Sequence, residues 1–368
     1  MSHLAEIPAQ VTPRLAGQLP LALIVGAGVA AVLWWLDWLH TDEWDVAPAR
    51  PGLVCLARRV WHTWSISSGG VVTRDGVSLG VEAATGRCVA LSWQQARAGV
   101  LVTGADPAAV AACGLQVVHA AVRRRQPVVV VDLAGSPTLA TAVAAVCAAC
   151  DAPLQVCGPA TRISLAEVVR CRAVALFSLD AAGHDWVTVA VAAQVTADLA
   201  ASYTGQQAAL APAGLVLVNG CEAAGPAVLA ALSAAGQQGS LGWVLTTTAP
   251  AAAGTLAARA GTCVVYRVAD PALADQLAGL TGSRLVPIGA GRGGVGQPGG
   301  QAGYAGGFGM AAEPAVPAGS LCSLGEGDFV VTARGSAVRA SAVAARIPAR
   351  QAVPHAAPQA VVRSGWAG

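Results

Sequence analysis

Gly104 directly follows the apolar run VLVT at 100–103. An alanine-rich segment whose apolar residues have helical spacing follows at 107–123. A turn that leads from a strand into a helix is where proteins often hold phosphate, because backbone N–H groups and the positive end of the helix dipole converge there. The turn at Gly104 is therefore the first candidate binding site.

The residues after Gly104 depart from the pattern of a phosphate-binding loop. That pattern is GxxxxGK followed by Ser or Thr: the second glycine lets the backbone wrap the phosphates, the lysine reaches the outer phosphates, and the hydroxyl binds magnesium. Here the three positions hold Ala109, Val110 and Ala111. All 22 basic residues of the chain are arginines, so no lysine elsewhere can substitute.

Asp106 and Pro107 predict a helix that begins early. Aspartate is a favoured N-cap and proline a favoured first helical residue, so we expect the helix to start about three residues sooner than a phosphate loop requires. The Asp106 carboxylate would then occupy the positive end of the helix and repel an anion. We predict a collapsed turn that supports the sheet.

A second polar position follows the apolar run at 215–218. An ATPase would place an aspartate here to hold magnesium and a glutamate next to it to activate the attacking water. This chain has Asn219 and Gly220, with Glu222 displaced by two positions. Glu222 is a weak candidate for a catalytic residue; the alternative is an acidic residue at a helix N-terminus.

Other polar residues form no supported catalytic or metal-binding group. Cys147 and Cys150 make a CxxC motif, but they lie in an alanine-rich segment without a second pair at zinc-site spacing. We interpret them as small buried residues and predict no metal site. His184 and Asp185 could do acid–base work, but an N-cap aspartate beside a solvent-facing histidine is the preferred interpretation.

Composition narrows the function classes. The net charge of +2 is far below that of a dedicated nucleic-acid-binding domain, so any nucleic-acid contact would be a local patch. Arg123, Arg124 and Arg125 end the predicted helix, where cations interact favourably with its dipole, and this is the preferred interpretation. Contact with nucleic acid, lipid headgroups or an acidic partner is the alternative. Ten cysteines scattered through apolar runs favour a reducing compartment.

Predicted strands and helices alternate along the chain. That alternation predicts an α/β fold with a doubly wound, mostly parallel sheet and helices on both faces. The predicted strands are 100–103, 127–131, 154–157, 173–178, 215–218, 242–246 and 262–268, and the predicted helices are 107–123, 138–150, 164–170, 186–203, 226–234, 251–260 and 271–280.

The N-terminal part contains an uncharged apolar run at 19–36. Its length is near the lower limit for crossing a bilayer, and Trp34, Trp35 and Trp38 are placed like an interfacial belt. We predict a retained transmembrane helix at 19–39 in contact with membrane lipid. A signal peptide and a buried core helix are the alternatives.

Arginine distribution sets the expected orientation. Arg50, Arg58 and Arg59 follow the apolar run, and only Arg14 precedes it. The positive-inside rule therefore predicts a single-pass protein of the cell membrane whose main domain is cytoplasmic.

The remaining segments complete the predicted domain organisation. A glycine-rich stretch contains GxGxxG-like spacings, but it does not lead from a strand into a helix, so we interpret it as a linker. The predicted segments are an N-terminal tail 1–18, the transmembrane helix 19–39, a juxtamembrane segment 40–60, a small β-element 61–95, an α/β domain 96–288, a Gly-rich linker 289–318, a C-terminal β-hairpin 319–348 and a disordered tail 349–368.

In this order the chain resembles the membrane-anchored coupling proteins of conjugation and type IV secretion, which belong to the FtsK-like group of P-loop ATPases. The resemblance covers about residues 80–348, without the large helical insertion of that family's motor domain. It rests on the N-terminal anchor and on VLVTG at 100–104, VVVVDLAG at 128–135, GLVLVNGCE at 214–222, VLTTT at 244–248, VVYRVADPALADQLAGLTG at 264–282 and the strand pair near GEGDFVVTARG.

The resemblance implies a P-loop-NTPase-like domain, while the departures at Val110, Ala111 and Asn219 imply lost catalysis. We therefore expect a scaffold or adaptor with protein partners in a secretion or conjugation assembly, and no bound cofactor. One alternative is an active ATP-dependent DNA or protein translocase that holds ATP and magnesium in an unconventional site. Another is a membrane-tethered α/β module for a small ligand, which a polar pocket at the strand carboxyl ends, not open at Gly104, would favour. The oligomeric state and any nucleic-acid contact stay open.

Overall fold

The structure is a computed structural model, and it describes residues 53–73, 75–82, 84–157, 168, 171–178, 214–223, 241–288, 309–333 and 335–344. The chain forms two units, Met1–Arg58 and Arg59–Gly368. The predicted transmembrane helix at 19–39, the predicted helices at 186–203 and 226–234 and the pair His184–Asp185 lie outside the described residues. Within the described residues, no helix combines the length and apolar character needed to cross a membrane.

Strands and helices alternate through most of the described residues. The strands are β1 Gly76–Glu82, β2 Cys88–Ser92, β3 Val100–Thr103, β4 Val128–Asp132, β5 Leu154–Cys157, β6 Val174–Ser178, β7 Gly214–Asn219, β8 Leu241–Thr247, β9 Thr262–Val265, β10 Ser283–Ile288, β11 Gly309–Pro314, β12 Asp328–Ala333 and β13 Ser336–Ala342. The helices are α1 Leu53–Ser67, α2 Trp93–Ala98, α3 Pro107–Arg123, α4 Pro137–Ala149, α5 Pro250–Ala257, α6 Pro271–Gly279 and α7 Ala318–Cys322.

Eleven of the described strands form one sheet in the order β2-β1-β13-β12-β9-β3-β8-β7-β4-β6-β5. Every neighbouring pair from β9 to β5 is parallel. The strands β12, β13, β1 and β2 extend this sheet with antiparallel pairs, and β10 pairs with β11 separately. The predicted α/β fold with a large, mostly parallel sheet is confirmed.

The valine strand β4 shows how the sheet is covered on both faces. Side chains of a strand alternate between the two faces. Val129 and Val131 pack in one buried cluster with residues of α5 and α6, whereas Val128 and Val130 pack in a second cluster with residues of α3 and α4. Because both faces are buried, this strand is apolar at four successive positions, as parallel strands usually are.

Local sequence fixes several elements at their predicted bounds. Strand β3 and helix α3 begin and end where the sequence predicts, and β12 and β13 pair as a hairpin within the predicted segment 319–348. Both β3 and α3 carry their own signals, which are a short apolar run and an Asp–Pro start followed by helical spacing.

Two segments differ from their predicted secondary structure. In the segment 61–95, which is predicted as a β-element, residues 61–67 are instead the last part of helix α1. The exposed residues of this helix do not alternate along the chain as those of a strand would. The composition of residues 309–318 predicts a linker, but these residues contain β11 and the start of α7. Strand β11 exists because it pairs with β10 across a glycine-rich segment, and no local pattern marks such a partner.

Candidate functional site

The turn at Gly104 and the residue Asn219 both lie at the carboxyl ends of the parallel strands. Strands β3, β8, β7 and β4 are parallel neighbours, so their carboxyl ends meet at the same edge of the sheet. Thr103 is in register with Thr247, and Asn219 is in register with Thr246. Adjacent strands are about 4.8 Å apart, which places the turn after β3 and the end of β7 about 10 Å apart.

The turn at Gly104 is closed by its contacts with Tyr266 and Arg267, the two residues that follow β9. A Cβ at Gly104 would lie 2.6 Å from the Cβ of Tyr266, so a larger residue does not fit. The Tyr266 N–H donates to the Thr103 carbonyl at 2.8 Å, and the Ala105 N–H donates to the Arg267 carbonyl at 2.7 Å. These bonds continue the pairing of β3 with the chain that leaves β9, and they use the Ala105 donor.

Asp106 caps helix α3, as the sequence predicts. Its Oδ1 accepts from the Ala108 N–H at 2.9 Å, and Pro107 is the first helical residue and has no N–H. Val110, at the position of the phosphate-loop lysine, is buried in the core cluster beneath α3. Ala111 is partly buried and carries no hydroxyl for magnesium.

Asn219 is held in a buried chain of hydrogen bonds. Its Nδ2 donates to Asp132 Oδ1 at 2.8 Å, and its Oδ1 accepts from the Thr246 hydroxyl at 2.6 Å. These three side chains belong to the neighbouring strands β4, β7 and β8. Asn219, which stands where an ATPase would have an aspartate to hold magnesium, therefore links three strands.

Asp132 is the acidic residue at the carboxyl end of β4, and it is not among the candidates that the sequence predicts. It is 0% exposed, and its Oδ2 accepts from the Ser136 N–H at 2.7 Å. Burial raises the pKa of the Asp132 carboxyl, although hydrogen bonds from Asn219 and Ser136 oppose that shift. The available signal was a charged residue that ends the all-apolar run VVVV at 128–131.

Glu222 and Gly220 belong to the connection that leaves β7. Gly220 has φ of 71°, and a Cβ there would lie 2.9 Å from the Ala134 nitrogen, so the position favours glycine. Glu222 is exposed on the single 3-10 turn Cys221–Ala223. The displaced glutamate is thus close in sequence to Asn219 but lies outside the buried hydrogen-bond chain.

A cavity of about 320 Å³ opens beside Gly104 on the side of α5 and α6. Thr103, Thr248 and Asp270 contribute its polar lining. Asp270 caps α6 by accepting from the Ala272 N–H at 2.9 Å. A small-ligand module would be favoured by a polar pocket that is not open at Gly104. This cavity is lined by Gly104, so it does not favour that alternative.

Cys147 of the CxxC motif and His119 of α3 are buried. Among the described residues, no cluster of three or more His, Cys, Asp or Glu side chains could hold a metal ion. Burial and the neighbouring Cys150 raise the pKa of the Cys147 thiol to about 11, so it is protonated at neutral pH. Burial and then Arg123 lower the pKa of His119, which is therefore neutral in α3.

Comparisons with known proteins give structural similarities only. No family model and no curated protein matches the chain. The unbound bacterial conjugative coupling protein TrwBΔN70 is 10% identical with a TM-score of 0.48, over 77% of this chain and 92% of that chain. The pCW3 conjugation coupling protein TcpA is 8% identical with a TM-score of 0.44, over 75% and 68%. The cytoplasmic domain of the Thermomonospora curvata type VII secretion ATPase EccC is 13% identical with a TM-score of 0.45, over 83% and 31%.

Proposed function

We propose that this chain is a membrane-anchored, P-loop-NTPase-like protein without ATPase activity, and that it acts as a scaffold or adaptor in a conjugation or type IV secretion assembly. The resemblance of its strand-end motifs to coupling proteins supports the assembly. The absence of ATP chemistry is supported by the geometry of the turn after β3.

The observation that carries this proposal is the use of the turn's backbone donors by the protein itself. A bound phosphate needs several free N–H groups at the start of the helix. The Ala105 N–H is bonded to Arg267, and the Ala108 N–H is bonded to the Asp106 carboxylate. An incoming phosphate would have to replace a negative charge that already occupies its place.

The position of Asn219 supports the same conclusion. Magnesium prefers carboxylate, hydroxyl and phosphate oxygens in an octahedral arrangement. Asn219 offers an amide whose oxygen and nitrogen are both engaged, and the nearby Asp132 carboxylate accepts bonds from Asn219 and Ser136. A metal ion would therefore have to break a buried network to reach an oxygen ligand.

The membrane part of the proposal rests on residues 19–39. Their uncharged run supports a single transmembrane helix in contact with lipid, and the arginines that follow it support a cytoplasmic main domain. Protein partners in the assembly would then meet the α/β domain near the membrane surface.

A nucleotide titration tests the loss of activity. The full-length chain in detergent is mixed with ATP and magnesium, and heat of binding and phosphate release are measured for the wild type, Glu222→Gln and Glu313→Gln. Glu313 is the matched control because it is also exposed but lies on β11. We expect no saturable binding and equal background hydrolysis in all three.

The active translocase is the alternative that a specific observation keeps open, since a cavity does adjoin Gly104. Saturable binding, with hydrolysis that Glu222→Gln abolishes and Glu313→Gln preserves, would establish that alternative and refute ours. Cross-linking and co-purification from the native membrane would identify the partners; recovery of the chain alone would argue against the scaffold role.

A further inference from the structure

Helix α1 presents large apolar side chains to the solvent. Val60, Trp61 and Trp64 are 69%, 63% and 61% exposed, and the two indole rings have centroids 5.7 Å apart. These three residues, which we name the apolar face of α1, lie on one side of the helix because of their i, i+1, i+4 spacing. Ile66 is the buried residue of α1 and lies on the opposite side.

The same spacing continues to the start of the helix. Leu53 and Leu56 lie seven and four residues before Val60, on the same side, and both are exposed. The helix LVCLARRVWHTWSIS contains two arginines and no acidic residue. A surface helix of a water-soluble protein usually has the reverse arrangement, with its apolar stripe against the core. Contiguous exposed apolar residues of this kind mark an interaction surface.

We propose that the apolar face of α1 lies in the lipid–water interface of a phospholipid bilayer. This inference rests on the proposed membrane anchor, which it extends by a second contact. Residues 40–52 connect the predicted membrane span at 19–39 to α1, so the helix starts at most about 45 Å from the end of that span.

The chemistry of the helix favours lipid over another occupant. Tryptophan is enriched where the acyl chains meet the headgroups, because its ring is apolar while its indole N–H can still reach water. A cationic side chain such as Arg59 is attracted to the anionic lipids of the cytoplasmic leaflet. Trp61, Trp64 and Arg59 together have the composition of an interfacial helix.

Fluorescence of the two tryptophans tests the proposal in the full-length chain. The protein is reconstituted into vesicles of phosphatidylcholine and phosphatidylglycerol, with and without bromine on the acyl chains. Subtracting the emission of the Trp61→Phe/Trp64→Phe variant from that of the wild type isolates the two indoles. We expect this difference emission at shorter wavelength than that of indole in water, and reduced to about half by the brominated lipid, as for rings at the acyl boundary.

Trp93→Phe is the matched control, because Trp93 is buried in the α/β core. Its difference emission should be the same in both lipids. Difference emission from Trp61 and Trp64 that brominated lipid leaves unchanged would overturn the inference: at long wavelength the rings are in water, and at short wavelength protein covers them.

An alkaline wash of the same vesicles separates this inference from the proposed anchor. A chain that resists the wash but whose Trp61 and Trp64 are not quenched would keep the anchor and refute the interfacial helix. A chain that the wash removes would refute the anchor, and quenching before the wash would still support the interfacial helix, whereas its absence would refute that helix too.

Discussion

At the scale of single residues, two side chains at the candidate nucleotide site have structural tasks. Asn219 joins β4 and β8 to β7 through its side chain, and Asp106 caps α3. Both tasks use the atoms that a nucleotide site would need free. Replacing either residue should therefore cost stability, and at Asn219 this holds even for the aspartate that an ATPase would have.

The substitution Asn219→Asp should destabilise the protein in a pH-dependent way. It would place a second carboxylate about 3 Å from Asp132, and two such groups cannot both ionise cheaply in a buried site. The shared site would keep one proton more than the wild type when folded, so the variant's loss of unfolding free energy relative to wild type should grow as pH rises from about 4 to 7, by about 3 kcal/mol for a pKa shift of about 2 units. Urea unfolding at several pH values measures this.

Thr246→Val is the control for Asn219→Asp. It removes the hydroxyl that donates to Asn219 and introduces no charge. We expect a loss of about 1 to 3 kcal/mol that does not change between pH 4 and 7. A flat pH profile for Asn219→Asp as well would show that Asp132 and the new carboxylate are not in contact.

Asp106→Ala should lower the free energy of unfolding by about 1 kcal/mol, the usual contribution of an N-cap. Asp270→Ala is matched to it, since each aspartate accepts from the N–H two residues later at 2.9 Å and precedes a proline. Thermal unfolding with and without phosphate compares the two. Phosphate stabilisation of wild-type protein that Asp106→Ala strengthens and Asp270→Ala leaves unchanged would contradict a closed turn.

At the scale of elements, sequence was sufficient where an element carries its own signals. Helix α3 has a cap, a proline and a helical apolar pattern, and β4 has its valine run. Strand β11 has neither, since it depends on a partner strand across a glycine-rich segment. The role of Asp132 is not predicted for a related reason. That role requires β4 to lie beside β7, and no local sequence pattern gives the order of strands in a sheet.

Gly99 joins α2 to β3 and should not tolerate a side chain. Its φ is 92°, and a Cβ there would overlap the indole of Trp243. Gly99→Ala should cost about 2 to 5 kcal/mol from backbone strain and overpacking.

Gly279→Ala is the control for Gly99→Ala. It ends α6, and nothing lies within 4 Å of its added Cβ. It should be neutral or stabilising by up to about 1 kcal/mol, because alanine favours helix more than glycine does. Urea unfolding followed by circular dichroism measures both variants, and equal effects would show that Trp243 is not packed against Gly99.

At the scale of the whole molecule, the sheet crosses the boundaries that composition predicts. The hairpin of β12 and β13 lies between β9 and β1, so it joins the strands that precede β3 to the parallel strands of the α/β region. Sequence predicted the hairpin and the parallel strands but treated them as separate domains. The hairpin joins the sheet by pairing with β9 and β1, which are distant in the sequence, so no local pattern predicts these pairs. The burial of Phe329 in the core depends on the same pairs.

Phe329→Ala tests whether this sheet unfolds as one unit. Phe329 is fully buried, packs on Tyr266 with ring centroids 5.6 Å apart and lies close to Gly80 of β1. Its truncation should cost about 3 to 5 kcal/mol. If the hairpin and the parallel strands are one cooperative unit, that loss should appear as a single shifted transition, with coincident curves from far-ultraviolet circular dichroism and tryptophan fluorescence.

Val338→Ala on the same hairpin is the control, because its side chain is 36% exposed, and it should shift the midpoint of unfolding far less. A biphasic curve, in which Phe329→Ala moves only a minor early phase, would mean that the hairpin folds apart from the parallel strands despite its place between β9 and β1.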